Sequence, residues 1–210
     1  MSAALLLDVG HVIIEASWRA VRAYEAATGT PMPVPDDLAE QHDSQWRVGV
    51  DSDAVGDRYW DEVAQRAGFD GLVGLFRALG KVVPETMFDP AAVALMDDTR
   101  RAGLPMGILT NHAHMVMGRD WFATRPEFAG LHTFIDAAEI GVPKPHPQAY
   151  LTAAGALGVP PEDVVFLDDT PECAEGARAI GMIGILVDRR DRRPAFEQAR
   201  HHLGLATAFP

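Results

Sequence analysis

Cysteine is nearly missing from this chain: Cys173 is the one thiol in 210 residues. An internal disulfide is therefore impossible, and no Cys/His spacing suggests a zinc site. Positive charge is scarce as well, with 18 Lys and Arg against 30 Asp and Glu and a net charge of −12. That balance argues against a nucleic-acid or anionic-membrane partner, since both select basic patches. Long apolar runs are absent too. Leu5 to Leu7 is too short for a signal-peptide core, and no stretch approaches the length of a membrane span. With one thiol, no signal-peptide core and no membrane span, the expected setting is a reducing cytoplasm; the expected form is a monomer or homodimer. What is present is ordinary core material: 48% hydrophobic and 23% charged residues, in a length that suits one domain or a core with a modest insertion.

The run Leu5-Leu6-Leu7-Asp8-Val9-Gly10-His11-Val12-Ile13-Ile14 delivers one carboxylate between two apolar stretches. A strand of a parallel sheet, covered on both faces, reads this way. Residues from about Glu15 to Gly80 change character, with helical periodicity and no convincing strand. Trp18 to Ala26 fits one helix, ended by Gly29 and the prolines at 31, 33 and 35. Asp36-Asp37-Leu38 opens a second, Asp51-Ser52-Asp53 caps a third that runs towards Gly68, and Leu72 to Leu79 makes a short apolar stripe. This helical block has the size of a small bundle.

From Pro84 onward strands alternate with helices. Expected strands are 105–109, 134–136, 164–167 and 182–187, and expected helices are 91–102, 148–157, 172–180 and 193–203. The pattern implies an α/β fold, a doubly wound, mostly parallel Rossmann-like sheet flanked by helices, with a small α-helical cap. The expected domains are a core of residues 1–14 and 84–210 and a helical cap of residues 15–83.

Three of these strands end in polar residues: Asp8, Thr110-Asn111 and Asp168-Asp169. In a parallel sheet those ends share one edge, where open α/β sheets bind ligands. The stiff loop Pro143-Lys144-Pro145-His146-Pro147 precedes a helix and so returns to the same edge. Three crowded carboxylates raise one another's pKa, a conflict that a hard cation resolves, and Mg²⁺ favours a few carboxylates with water and phosphate. Thr110, Asn111 and Lys144 suit phosphate oxygens, and Asp8 is a candidate nucleophile. Each residue also has a plain reading, as a helix cap, a helix N-terminal charge or a solvated lysine. Their order along the chain is the specific signal.

Four segments together resemble the haloacid dehalogenase-like hydrolase superfamily, in the subgroup with a helical cap inserted after the first core strand. They are Leu5-Leu6-Leu7-Asp8-Val9-Gly10, Ile108-Leu109-Thr110-Asn111, Lys144 to Tyr150, and Phe166-Leu167-Asp168-Asp169, followed by the typical stretch Glu175 to Met182. The resemblance implies a Mg²⁺-dependent phosphatase of a small phosphorylated metabolite, working through an aspartyl-phosphate on Asp8. It further implies that Thr110 and Asn111 hold the phosphoryl group and that Lys144 neutralises it and steadies Asp8. Asp8, the Gly10 carbonyl, Asp168 and Asp169 would hold the metal.

The departures define the alternatives. Phosphatases of this superfamily usually carry a second Asp two residues after the nucleophile as general acid and base, and here that residue is Gly10. Losing a general acid costs about 10²–10⁴-fold, roughly 3–5 kcal/mol of barrier. His11 is the nearest titratable substitute, although a turn role pointing away from the metal is its plainer reading. Cys173 stands where Asn or Asp is common and reads as a packed thiol. His112 and His114 read as helix surface, and 188–193 as a solvated loop of paired charges. In the cap, His42, Trp46, Arg47 and Tyr59 are candidates to face substrate. The competing functions are a metal-free 2-haloacid dehalogenase and a catalytically weak or inactive member that only binds.

Overall fold

A computed structural model describes residues 3–15, 18–31, 53–189 and 191–207. In chain order the strands are β1 (Ala4–Leu7), β2 (Met106–Thr110), β3 (Thr133–Asp136), β4 (Val164–Asp168) and β5 (Ile183–Leu186). The helices in the same order are α1 (Trp18–Thr28), α2 (Asp53–Arg66), α3 (Gly71–Val82), α4 (Pro90–Arg101), α5 (Ala113–Met117) and α6 (Arg119–Ala123). They continue with α7 (Ala137–Ile140), α8 (Pro147–Leu157), α9 (Pro171–Ala179) and α10 (Arg193–Leu203). The chain separates into two compact units, one of residues 1–15 with 88–210 and one of residues 16–87.

In the larger unit all strands run parallel in the order β3-β2-β1-β4-β5. The chain builds outward from β1 through β2 to β3, then crosses to the other side of β1 for β4. The strand order therefore reverses between β1 and β4, which makes their carboxyl ends the switch point where such sheets bind ligands. Every residue of β1, β2 and β4 is buried, as a sheet covered on both faces requires. One face carries Leu6, Leu109 and Phe166 against Ala149, Tyr150 and Ala153 of α8 and Ala177 of α9. By the two-residue period of strands, Leu5, Leu7 and Ile108 turn to the opposite face, where α4 and α10 pack. The approach of α9 is close: a Cβ on Gly176 would meet the Tyr150 hydroxyl at 2.8 Å and Pro145 Cβ at 2.9 Å. A side chain there would push α9 off the loop that carries Lys144.

The described residues of the smaller unit are helical apart from short turns. Val63, Leu75 and Leu79 are fully buried where α2 and α3 pack, and Tyr24 of α1 meets Phe69 edge-on at 5.9 Å. Asp61 accepts a hydrogen bond from the Leu72 main-chain nitrogen at 2.8 Å and ties the two helices at their turn. Gly71 permits this, because its φ is +61° and a Cβ would fall 2.5 Å from the same carboxylate. The turn Pro84–Thr86 stays with these helices rather than opening the α/β part at 84. The Thr86 carbonyl accepts from Arg19 at 2.9 Å, and the Thr86 nitrogen donates back to Val83. The helix expected near Asp36, and with it His42, Trp46 and Arg47, lies outside the described residues, as does the Tyr59 side chain.

Between β2 and β3 the fold departs from the reading of the sequence. Two five-residue helices, α5 and α6, occupy a stretch where the sequence suggests helix around His112 and His114 but bounds no element, and Gly118 at φ +85° breaks them. Each is too short to show a periodic apolar stripe.

Candidate active site

Asp8 follows β1 directly, and its nitrogen donates to the Leu167 carbonyl at 2.9 Å. That bond fixes the end of β1 beside the end of β4, so Asp8 meets Asp168 and Asp169. One oxygen from each of the three carboxylates lies within 4.8 Å of the others, and all three residues are buried. Lys144 enters between two of them, with its Nζ 2.8 Å from Asp8 Oδ1 and 2.6 Å from Asp168 Oδ2. Its ammonium also sits 5.4 Å from the centre of the Phe166 ring.

The lysine is braced from behind. The Lys144 nitrogen donates to Asn111 Oδ1 at 2.9 Å, and Asn111 Nδ2 donates to the Lys144 carbonyl at 3.2 Å. This pair of hydrogen bonds between the end of β2 and the loop before α8 holds the main chain of Lys144. The Lys144–Pro145 peptide is cis. The Asn111 carboxamide is thus engaged with main chain, so what Asn111 offers an anion is not its amide group. Thr110 closes β2 and is buried at the same sheet edge.

Asp168 is further tied by the Thr170 nitrogen, which donates to Oδ1 at 2.8 Å. Burial and the neighbouring Asp8 push the Asp168 carboxyl up to about 7, against the pull of Lys144. Burial and Asp8 also raise Asp169, opposed by Arg189 and by His11. Burial alone would lower the Lys144 pKa, but the charges of Asp8 and Asp168 outweigh it and hold the ammonium above its ordinary value.

Gly10 and His11 form the turn after Asp8. A Cβ on Gly10 would find Asp8 Oδ2 at 3.9 Å as its nearest neighbour, so the position has room for a Cβ near the Asp8 carboxylate. His11 adopts φ +54°, an uncommon conformation for a residue with a Cβ. Its main chain is held on both sides. The nitrogen donates to Ile14 at 2.8 Å, and the carbonyl accepts from Arg192 Nε at 2.7 Å.

Two arginines of the 188–193 run do not lie in a solvated loop as the charge pattern predicts. Arg189 places Nε 2.6 Å and a terminal nitrogen 2.5 Å from Asp169 Oδ2. Arg192 binds the His11 carbonyl and pairs with Glu15 and Asp89. Asp191 and Arg193 do behave as expected, exposed and paired with each other at 3.3 Å. Arg190 lies outside the described residues. Sequence reasoning missed the inward pair because a charged run has no period to show which members turn in.

His114 needs a correction as well. It is neither on the helix surface nor at the carboxylates. Its ring stacks on Phe134 of β3 at 4.7 Å and bonds Glu139 at 2.9 Å, while its main-chain nitrogen donates to Asp136 Oδ2 at 2.8 Å. The His114 hydrogen bond is the main reason the Glu139 carboxyl is lowered. His112 is exposed. Cys173 is buried, with its thiol pushed up to about 12 by burial and Asp168, and its carbonyl accepts from Tyr150 at 2.8 Å. It is a packed thiol.

The family profile for haloacid dehalogenase-like hydrolases matches residues 6–181, which span every element of the site described above except Arg189 and Arg192. The chain belongs to the haloacid dehalogenase-like hydrolases. Within that family it is similar to phosphatase MT3486 of Mycobacterium tuberculosis, with 39% identity over 104 residues, 48% of this chain and 46% of that protein. It is also similar to the phosphoserine phosphatase of Thermus thermophilus, with 34% identity over 105 residues, 48% of this chain and 40% of that protein. The chain thus matches somewhat under half the length of these curated relatives. The HAD-hydrolase YfnB from Bacillus subtilis, solved bound to magnesium, shares the fold with a TM-score of 0.59 at 16% identity, over 97% of this chain and 99% of that one. Among the described residues, no helix is long and apolar enough to cross a membrane.

Proposed function

We propose that this hydrolase is a Mg²⁺-dependent phosphatase of a small phosphorylated metabolite, with Asp8 as the nucleophile. The observation that carries the reading is the buried cluster of Asp8, Asp168 and Asp169 at the switch point of the sheet, bridged by Lys144. Three carboxylates there face two cations, Lys144 and Arg189, which leaves an excess of negative charge among hard oxygen donors. That donor set fits a small divalent ion such as Mg²⁺, with Asp8, Asp168, Asp169 and the Gly10 carbonyl as its holders. When bound, such an ion supplies charge neutralisation for the phosphoryl oxygens.

The residues of the chain divide the remaining work. An Asp8 carboxylate oxygen forms a bond to phosphorus as the bond from phosphorus to the leaving oxygen breaks. Water then attacks the same phosphorus, releasing inorganic phosphate and restoring Asp8. Lys144 holds Asp8 in place and adds positive charge beside the transferring group. The Thr110 hydroxyl and the main chain of Asn111 serve as donors to the phosphoryl oxygens, while the Asn111 carboxamide keeps Lys144 in position. Gly10 cannot protonate a leaving alkoxide, so substrates with good leaving groups are favoured. We assign the helices of residues 16–87 to a cap that selects substrate.

The test is p-nitrophenyl phosphate, whose leaving group needs little protonation. Turnover is expected with Mg²⁺, none with chelator, and none from Asp8→Asn. Absence of metal-dependent turnover across a broad phosphate-ester panel would remove this reading. Metal-free chloride release from 2-chloropropionate would replace it with carbon-directed attack by Asp8.

A further inference from the structure

The strand end that leads to Arg189 is fixed. Val187 donates to the Asp168 carbonyl at 2.9 Å, so the chain leaves β5 beside the Asp168-Asp169 corner. Arg189 then turns its guanidinium inward, and two of its nitrogens reach one oxygen, Asp169 Oδ2. The two side chains are only 16% and 5% exposed. An arginine on a loop ordinarily keeps its charge in water, so burying it against a carboxylate is a costly arrangement with a specific consequence. Three residues on, Arg192 ties the same stretch to the His11 carbonyl, Glu15 and Asp89. Arg189 is therefore held between two anchored points rather than hanging from a free loop.

The cation on Asp169 differs from the one on its neighbour. Lys144 spans Asp8 and Asp168, so it serves two carboxylates and is itself braced by Asn111. Two nitrogens of the Arg189 guanidinium reach one oxygen, Oδ2 of Asp169. A divalent ion that uses Asp169 arrives at a carboxylate already bearing a positive group.

We propose that Arg189 is a built-in counter-ion of Asp169 that competes with the divalent cation, so that the site holds metal more weakly than its carboxylates alone would. The proposal rests on the metal-dependent reading of this site. Arg189 is a positioning residue in this account: it keeps Asp169 oriented before metal arrives and weakens the hold on metal afterwards. The repulsion acts across a few ångströms between largely buried side chains, where one unit charge changes an ion's affinity strongly.

The experiment is calorimetric titration of Mg²⁺ into the metal-free 210-residue chain, comparing wild type with Arg189→Gln, Arg189→Met and Arg189→Lys. The neutral variants are expected to bind Mg²⁺ about tenfold more tightly or better, and Arg189→Lys to remain near wild type. Asp169→Asn should remove the binding heat and so identify the site. Equal or weaker binding by the neutral variants, with wild type still binding, overturns the proposal alone. If neither wild type nor any variant takes Mg²⁺, the metal-dependent reading falls and the proposal falls with it. Metal-free thermal unfolding checks folding, and failure of both neutral variants to fold would make Arg189 a structural anchor and also overturn the proposal.

Discussion

Two loops deliver cations to the same carboxylate cluster, and they do so differently. The loop before α8 carries Lys144, which lies between Asp8 and Asp168 with its main chain clamped by Asn111. The loop after β5 carries Arg189 to Asp169 and Arg192 to the turn that follows Asp8. The first cation links two strand ends through two short bonds and is almost wholly buried, at 3% exposure of its side chain. The second approaches one oxygen of one carboxylate, from a side chain that keeps some contact with solvent. On the proposed reading, the contrast separates a cation that belongs to the permanent frame of the site from one that would share its partner with a divalent ion.

The largest effect is expected at Lys144. Lys144→Met leaves Asp8 and Asp168 facing each other without their shared cation. Denaturant unfolding of the metal-free protein at pH 8 should then show a loss of about 3–5 kcal/mol. Turnover of p-nitrophenyl phosphate should fall about 10²–10³-fold with Mg²⁺ present. A variant as stable as wild type would erase the distinction between the two loops.

A smaller effect is expected between them, at Gly10. The space beside Asp8 accepts a Cβ, so Gly10→Asp is the variant that offers a proton donor at this turn. Hydrolysis of alkyl phosphates should rise about 10²-fold and that of aryl phosphates much less. Equal gains on both, or none, would show that leaving-group protonation is not the limiting step.

The smallest effect is one of pH. Asp168 is raised from 3.8 to about 7 by burial and by Asp8, so the fold favours its protonated form. The stabilisation from this group is therefore complete below about 3.8 and is lost as pH rises through about 7. The metal-free protein should melt at a lower temperature at pH 8 than at pH 5, and Asp168→Asn should reduce that difference. A difference that the variant leaves intact would assign the pH dependence to another group.

Much of the site can be read from the sequence because it is built at strand ends. Asp8, Thr110-Asn111 and Asp168-Asp169 each follow an apolar run, and a parallel sheet brings such positions to one edge. Lys144 is legible from its place in a proline-stiffened loop before a helix. Arg189 and Arg192 are not, since their inward turn depends on β5 pairing with β4 and on the bond from Val187 to Asp168, which no local pattern encodes. The Asn111 carboxamide illustrates a second limit. Its residue type fits phosphate binding and main-chain bracing equally, and only the tertiary placement of Lys144 decides for bracing. Short helices such as α5 and α6 escape for a third reason, because five residues complete too few turns to display a face.

The claim that Asp8 forms a covalent phosphoenzyme is tested most directly by trapping it. The protein is mixed with a radiolabelled phosphate ester and Mg²⁺, quenched in acid during turnover and digested. The account predicts label on the peptide containing Asp8, released by hydroxylamine and absent from Asp8→Asn. Steady phosphate release with no acid-stable label on that peptide, or label that persists in Asp8→Asn, would contradict it.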